Sequence, residues 1–239
     1  MPFVLFNHSH GGDFSIGKEE LRSSSHYLQP ESFLETLIAE GYAVGAIDMW
    51  GFGERKHGES ALFKKLSLWG QTLWGYRLND NQQFLTYILY REEVINTKIA
   101  TIGMSMGGLM SWWLAALDER ISLVIDIAGQ AGYEALMDEE RLDKHGFYYY
   151  VPGILTTFST AAIQKMIAPR PRLSLTGKED EMCPIRGVKR LNEELQKQYR
   201  ALGKPDHWQA KMFAGGHEET KEMRREWRTF LKDHLGNGN

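Results

Sequence analysis

Ser105 lies in the stretch TIGMSMGGLM (residues 101–110), with Gly103 and Gly107 two positions to either side. This is the pattern G-x-S-x-G, and an apolar run lies on each side of it. The pattern suits a serine held on a tight turn from a strand into a helix. The backbone of such a turn is strained, and bulky side chains two positions away would collide with each other or with neighbouring strands. Gly103 and Gly107 remove those collisions, and Gly108 lets the helix approach closely. The turn lifts the Ser105 hydroxyl out of the sheet and aims the first helical N–H groups, notably that of Met106, at the space above it. A glycine-rich helix start with a serine cap is the structural alternative.

A serine hydroxyl is a poor nucleophile until a base takes its proton. His217 follows the last strand-like run in KMFAGGHEET, where Gly215 and Gly216 give a tight loop. His207 precedes that strand and belongs at its opposite end, His234 lies on a terminal helix, and His145 falls in an aromatic-rich segment that could line a pocket. The stretch LSLTGKEDEMCP offers Glu179, Asp180 and Glu181 as the acid. Asp180 is preferred and Glu179 is the runner-up, because a strand, a Gly and then x-x-Asp sets a carboxylate at the sheet edge. There it would fix the imidazole tautomer and stabilise the imidazolium. Asp126 sits within a strand and reads as structural.

A second amide for a negative oxygen is expected from the loop NHSHGGD, supplied by His10 or else Gly11 within His8 to Gly12. His8 and His10 alternate as they would on a strand, but no third metal ligand follows at a recognisable spacing, so no metal or cofactor is expected. Cys183 sits next to a proline without a helix N-terminus or base beside it and is not expected to be a nucleophile. Asp48, in AIDMWGFGER, reads as a brace for loops at the same edge.

Short apolar runs alternate with amphipathic stretches. Strands are expected at Phe3–Asn7, Tyr42–Ile47, Lys98–Ile102, Ile121–Ile127, Arg172–Thr176 and Trp208–Phe213. Helices are expected at Glu31–Glu40, Asn79–Glu93, Met106–Leu117 and Gly187–Leu202, with a last one carrying Met223, Trp227, Phe230 and Leu231. In Met106–Leu117 the inward residues are expected to include Leu117, and in Gly187–Leu202 they are expected to include Leu202. This alternation predicts an α/β fold with a mostly parallel sheet covered by helices on both faces. Residues 129–170 are too long for an ordinary crossover and read as a cap-like insertion over the C-terminal sheet edge, in a chain forming one domain over residues 1–239. Its run HGFYYYVPGIL makes Phe147, Tyr148 and Tyr149 candidates for the substrate pocket.

The chain has 239 residues, 42% hydrophobic and 25% charged, with a net charge of -3, which points to neither nucleic acid nor an anionic membrane as partner. A single cysteine precludes an intrachain disulfide. No apolar run approaches the roughly 18 residues of a membrane span, and the N-terminus lacks a signal-peptide pattern, so a cytoplasmic location is expected.

Together HSHGG, DMWGFGER, GMSMGG, YYVPGIL, IAPRPRLSLTGKEDEMCP and GGHEET resemble the α/β-hydrolase superfamily, in its dienelactone hydrolase and acetyl xylan esterase-like branch. The resemblance covers nearly the whole chain. It implies a serine esterase with Ser105, Asp180 and His217 as a triad, working on small carboxylic esters through an acyl-enzyme. Dienelactone hydrolases proper use cysteine, so serine here favours simple esters over that substrate. The same triad serves a peptidase or amidase, and a non-catalytic ligand-binding protein on this fold is the third reading. The family usually has further strands before the first one here, which leaves the Tyr42–Ile47 strand at the sheet edge, open to a second copy or a loop.

Overall fold

The run Phe3-Val4-Leu5-Phe6 is apolar at every position, so a strand built from it needs cover on both faces. A computed structural model, which describes residues 1–236, supplies that cover. Phe3–Asn7 forms β1, followed by β2 (Ala43–Gly45), β3 (Ile99–Met104), β4 (Leu123–Ile127), β5 (Arg172–Gly177) and β6 (Trp208–Phe213). They make one six-stranded sheet in the order β2-β1-β3-β4-β5-β6. Every pairing is parallel, with Val4 opposite Ala100 and Gly103 opposite Asp126. β2 is the edge strand, as expected, and is shorter than the run Tyr42–Ile47.

Alternate residues of β1 feed two cores. Val4 and Phe6 join Phe33 and Leu37 of α1 (Phe33–Ala39) and Trp227 and Leu231 of α8 (Lys221–Leu235) on one face. Phe3 and Leu5 join α3 (Leu73–Leu89) and α4 (Met106–Leu117) on the other, with the short α2 (Glu59–Leu68) beside them. α7 (Ile185–Ala201) buries Leu195 and Tyr199 against Trp208 of β6. α1 starts where it does because Ser32 and Glu35 form a reciprocal capping box.

Several expectations change. Leu202 lies one residue past the end of α7 and is 45% exposed rather than inward. Leu117 is exposed, whereas the rest of α4 is buried on every side because other helices cover its outer surface. α3 begins at Leu73, six residues before the predicted start, with Thr72 accepting a hydrogen bond from the Gly75 N–H. Arg77 and Asn81 on its buried side hide the apolar period there. α2 was not predicted at all.

Residues 129–170 hold α5 (Tyr133–Asp138) and α6 (Thr160–Lys165) with 3₁₀ turns between them. α6 packs on α4 and α7, so much of the segment runs along a helical face, and only part reaches the C-terminal edge of the sheet. At its end Arg170 donates to the carbonyls of Ala115, Asp118 and Ile121, closing the C-terminus of α4. Asp126 is structural: Arg172 donates to it through Nε and Nη2 at 3.0 and 2.9 Å, and Ser174 Oγ at 2.7 Å. No helix among the described residues is long and apolar enough to cross a membrane.

Candidate active site

β3 ends at Met104 and α4 begins at Met106, leaving one residue for the turn. That residue, Ser105, sits at φ 56° and ψ -121°, a conformation L-residues rarely adopt. Packing holds it there. The Ser105 N–H donates to the Ile127 carbonyl at 2.8 Å, and its own carbonyl accepts from Leu109 at 2.9 Å. A side chain on Gly103 would run into Asn7 and Gly107, and one on Gly107 into Asn7. The crowding thus comes from the turn itself and from β1 together.

The Ser105 hydroxyl lies 2.7 Å from His217 Nε2. On the other side of the ring, Nδ1 lies 2.8 and 3.0 Å from the Asp180 oxygens. An Nδ1–H donated to the carboxylate leaves Nε2 free to accept from Ser105. Asp180 is buried, and its Oδ1 also accepts from the N–H groups of Met182 and Cys183 at 2.8 and 3.2 Å. The loops that carry acid and histidine touch where Gly177 meets the carbonyls of Gly215 and Gly216, too close for any side chain on residue 177. Glu179 N–H donates to the Gly215 carbonyl at 3.0 Å, which ties the two loops together. The side chain of Glu181 turns outward to Lys144 at 2.7 Å, so neither neighbouring acid holds the imidazole.

Met106 opens α4, where the helical ladder offers its N–H no acceptor. Its side chain turns into the core, with Sδ 3.2 Å from Arg77 Nη1. Across the turn, the N–H groups of His10 and Gly11 have no acceptor among the described residues. A cavity of about 530 Å³ opens above Ser105, lined among others by His10, Gly11, Tyr27, His145, Tyr148 and His217. Of the three aromatics expected there, only Tyr148 lines it, with its ring stacked on His10 at 5.6 Å. Phe147 does not: it is 51% exposed and stacks on Phe63. Tyr149 does not either: it is fully buried, with its hydroxyl on the Ala131 carbonyl and its ring on Tyr133. Three consecutive residues in a turn cannot all face one pocket.

His8 points away from the cavity. Its Nδ1–H donates to the Ser9 carbonyl and its Nε2 accepts from Met49 N–H, and burial pulls its pKa down to about 4. Cys183 is fully buried and burial pushes its thiol pKa well up, against any thiolate role. Asp48 accepts from Lys18 and Glu54, joining the loops it was expected to brace. Glu20, Tyr27, Glu59 and Arg77 also surround the site, and sequence reasoning missed them. Glu59 opens the unpredicted α2, and the loop from Gly12 to Leu28 has no periodicity to read.

A sequence model of the alpha/beta hydrolase fold matches residues 2–152. The Bacillus subtilis (strain 168) protein YtaP, named as a hydrolase, is 45% identical over 235 residues, which are 98% of this chain and 79% of YtaP. This chain belongs to the alpha/beta hydrolase fold family. Among solved structures, this alpha/beta hydrolase is similar to a Bacteroides fragilis protein named as an acetyl xylan esterase, with TM-score 0.70 and 19% identity. That match covers 90% of this chain and 59% of the other, so this chain spans less than two thirds of that protein's length. A Klebsiella pneumoniae protein named as a dienelactone hydrolase matches with TM-score 0.64 and 16% identity, over 98% of this chain and 86% of the other. The fold of both is the alpha/beta hydrolase fold described above.

Proposed function

We propose that this alpha/beta hydrolase is a serine esterase acting on small carboxylic esters. One observation carries the reading: Ser105 Oγ, both nitrogens of His217 and the Asp180 carboxylate lie in an unbroken hydrogen-bonded line at the cavity floor. In the first step His217 Nε2 takes the Ser105 proton as Oγ attacks the ester carbonyl. The N–H of Met106 and that of His10 or Gly11 hold the resulting oxyanion. The imidazolium, steadied by Asp180, then gives its proton to the leaving alcohol, and the acyl group stays on Ser105. Water, deprotonated by His217, releases the acid and restores the serine. The cavity volume suits a small or medium ester, and the names of the similar structures support ester substrates.

The test is covalent labelling by a fluorophosphonate probe together with p-nitrophenyl acetate turnover. The expected result is labelling at Ser105 and loss of both in Ser105→Ala. Folded wild-type protein that takes no label, with equal turnover in Ser105→Ala, overturns the proposal. A series of p-nitrophenyl esters of rising acyl length, an acetylated sugar, a lactone and an anilide then sorts esters from amides and ranks acyl size.

A further inference from the structure

Glu20 is buried next to the catalytic cavity, and no cation lies within ion-pair distance of it among the described residues. Leaving a carboxylate there without a cation is costly unless its oxygens are well satisfied. Its oxygens are held by two donors, both beside the proposed oxyanion site. Oε2 accepts from the Ser9 N–H at 2.6 Å, and Oε1 accepts from the Tyr27 hydroxyl at 2.5 Å. Burial pushes the Glu20 pKa up, against the pull of those two bonds.

Each donor adjoins a candidate oxyanion amide. Ser9 immediately precedes His10, and its hydroxyl donates to the carbonyl of Met104, the residue before the nucleophile, at 3.2 Å. Ser9 is therefore fixed between Glu20 on one side and the serine turn on the other. The Tyr27 hydroxyl lies 2.5 Å from where a Cβ on Gly11 would stand, and Gly11 has φ +60°. Tyr27 thus rests against the second candidate amide. Its carbonyl also accepts from the Glu219 N–H at 2.8 Å, two residues after His217. A single carboxylate links the residues flanking both candidate amides, and through Tyr27 it reaches the histidine loop.

We infer that Glu20 and Tyr27 are positioning residues, a clamp that sets the His10–Gly11 amides at the distance the oxyanion requires. The inference rests on the esterase reading and adds a part to it that no motif marks. The clamp does not touch the ground-state ester through Glu20, so its loss should fall on kcat. A misplacement of about 1 Å in such a site costs on the order of 10²-fold in rate.

The experiment measures kcat and KM separately on p-nitrophenyl acetate, with fluorophosphonate labelling rates and thermal midpoints, for Glu20→Leu, Glu20→Gln and Tyr27→Phe. In Glu20→Leu, kcat and the labelling rate should fall together, roughly 10- to 100-fold, with KM within about twofold. Glu20→Gln keeps an acceptor for Ser9 and should recover most of the loss. Tyr27→Phe, which keeps the ring against Gly11, should lose roughly 3- to 10-fold in kcat and decides the matter if Glu20→Leu does not fold. Wild-type kcat in folded Glu20→Leu, or in Tyr27→Phe, overturns the clamp, as does a lowered midpoint with unchanged kcat. Wild-type protein with neither turnover nor labelling overturns the esterase reading itself, and the clamp falls with it.

Discussion

The carbonyl of Asn7, the last residue of β1, occupies the space that any side chain on Gly107 would need. The strand that leads into the His8–Gly12 loop is thereby packed directly on the first turn of the helix that follows Ser105. Gly107→Ala should force β1 and α4 apart, costing about 1–3 kcal/mol of stability. Turnover should fall further than that loss explains, since both proposed amides lie on the displaced elements. Thermal melts beside p-nitrophenyl acetate kinetics check this, and a variant with wild-type midpoint and turnover contradicts it.

Asp180→Asn keeps the shape of the acid and removes its charge. The amide can present an N–H to His217 Nδ1, which favours the tautomer that cannot accept from Ser105. The expected loss in kcat is roughly 10³- to 10⁴-fold, with the fold intact. Glu179→Gln, at a neighbour that does not touch the imidazole, should stay within about twofold. Steady-state kinetics on both variants distinguish the two acids, and the reverse ranking would reassign the acid.

His8 predicts a contribution to acid sensitivity. Its folded pKa, pulled to about 4 by burial, lies below the ordinary imidazole value of 6.5. Below pH 6.5 the unfolded chain binds a proton that the folded chain refuses, so stability is full above that pH and drains away as pH falls toward 4. Between pH 7 and 4.5 this one group should remove about 2 kcal/mol. Urea unfolding at the two pH values should show His8→Asn losing less than wild type by about that amount. Equal losses would mean that His8 is not held neutral.

The Asp126–Arg172 pair is fully buried, with the guanidinium also over the Trp208 ring at 5.0 Å. Arg172→Met strands a carboxylate in the sheet and should cost roughly 3–5 kcal/mol. Adding Asp126→Leu should return most of it, because the stranded charge is then gone. Denaturant titration of the single and double variants checks the expectation, and a double variant no more stable than the single one refutes it.

β1, β3 and β4 were legible as short, buried and mainly apolar runs, and β5 and β6 as runs in which apolar and polar residues alternate. The serine turn was legible because steric demand writes itself into sequence as Gly103 and Gly107. His217 and Asp180 followed from their places after consecutive strands. The aromatic run was misleading at Phe147 and Tyr149, since composition gives the number of rings near a site and not the direction of each. Glu20, Tyr27 and Glu59 were illegible for another reason: their roles depend on contacts between segments distant along the chain. A lone acid in an aperiodic loop carries no local trace of the amide it will meet.

The insertion is fastened to the acid loop by Lys144 on Glu181 and by His145, whose Nε2–H donates to the Met182 carbonyl at 2.8 Å. The roof of the chamber and the support beneath its carboxylate are therefore a single fabric. Levering up the roof to admit a bulky guest would tug on Met182 and slacken the anchor that keeps the imidazole aligned. On the esterase reading, an ester too large for the cavity is then rejected by misalignment of His217 as well as by obstruction.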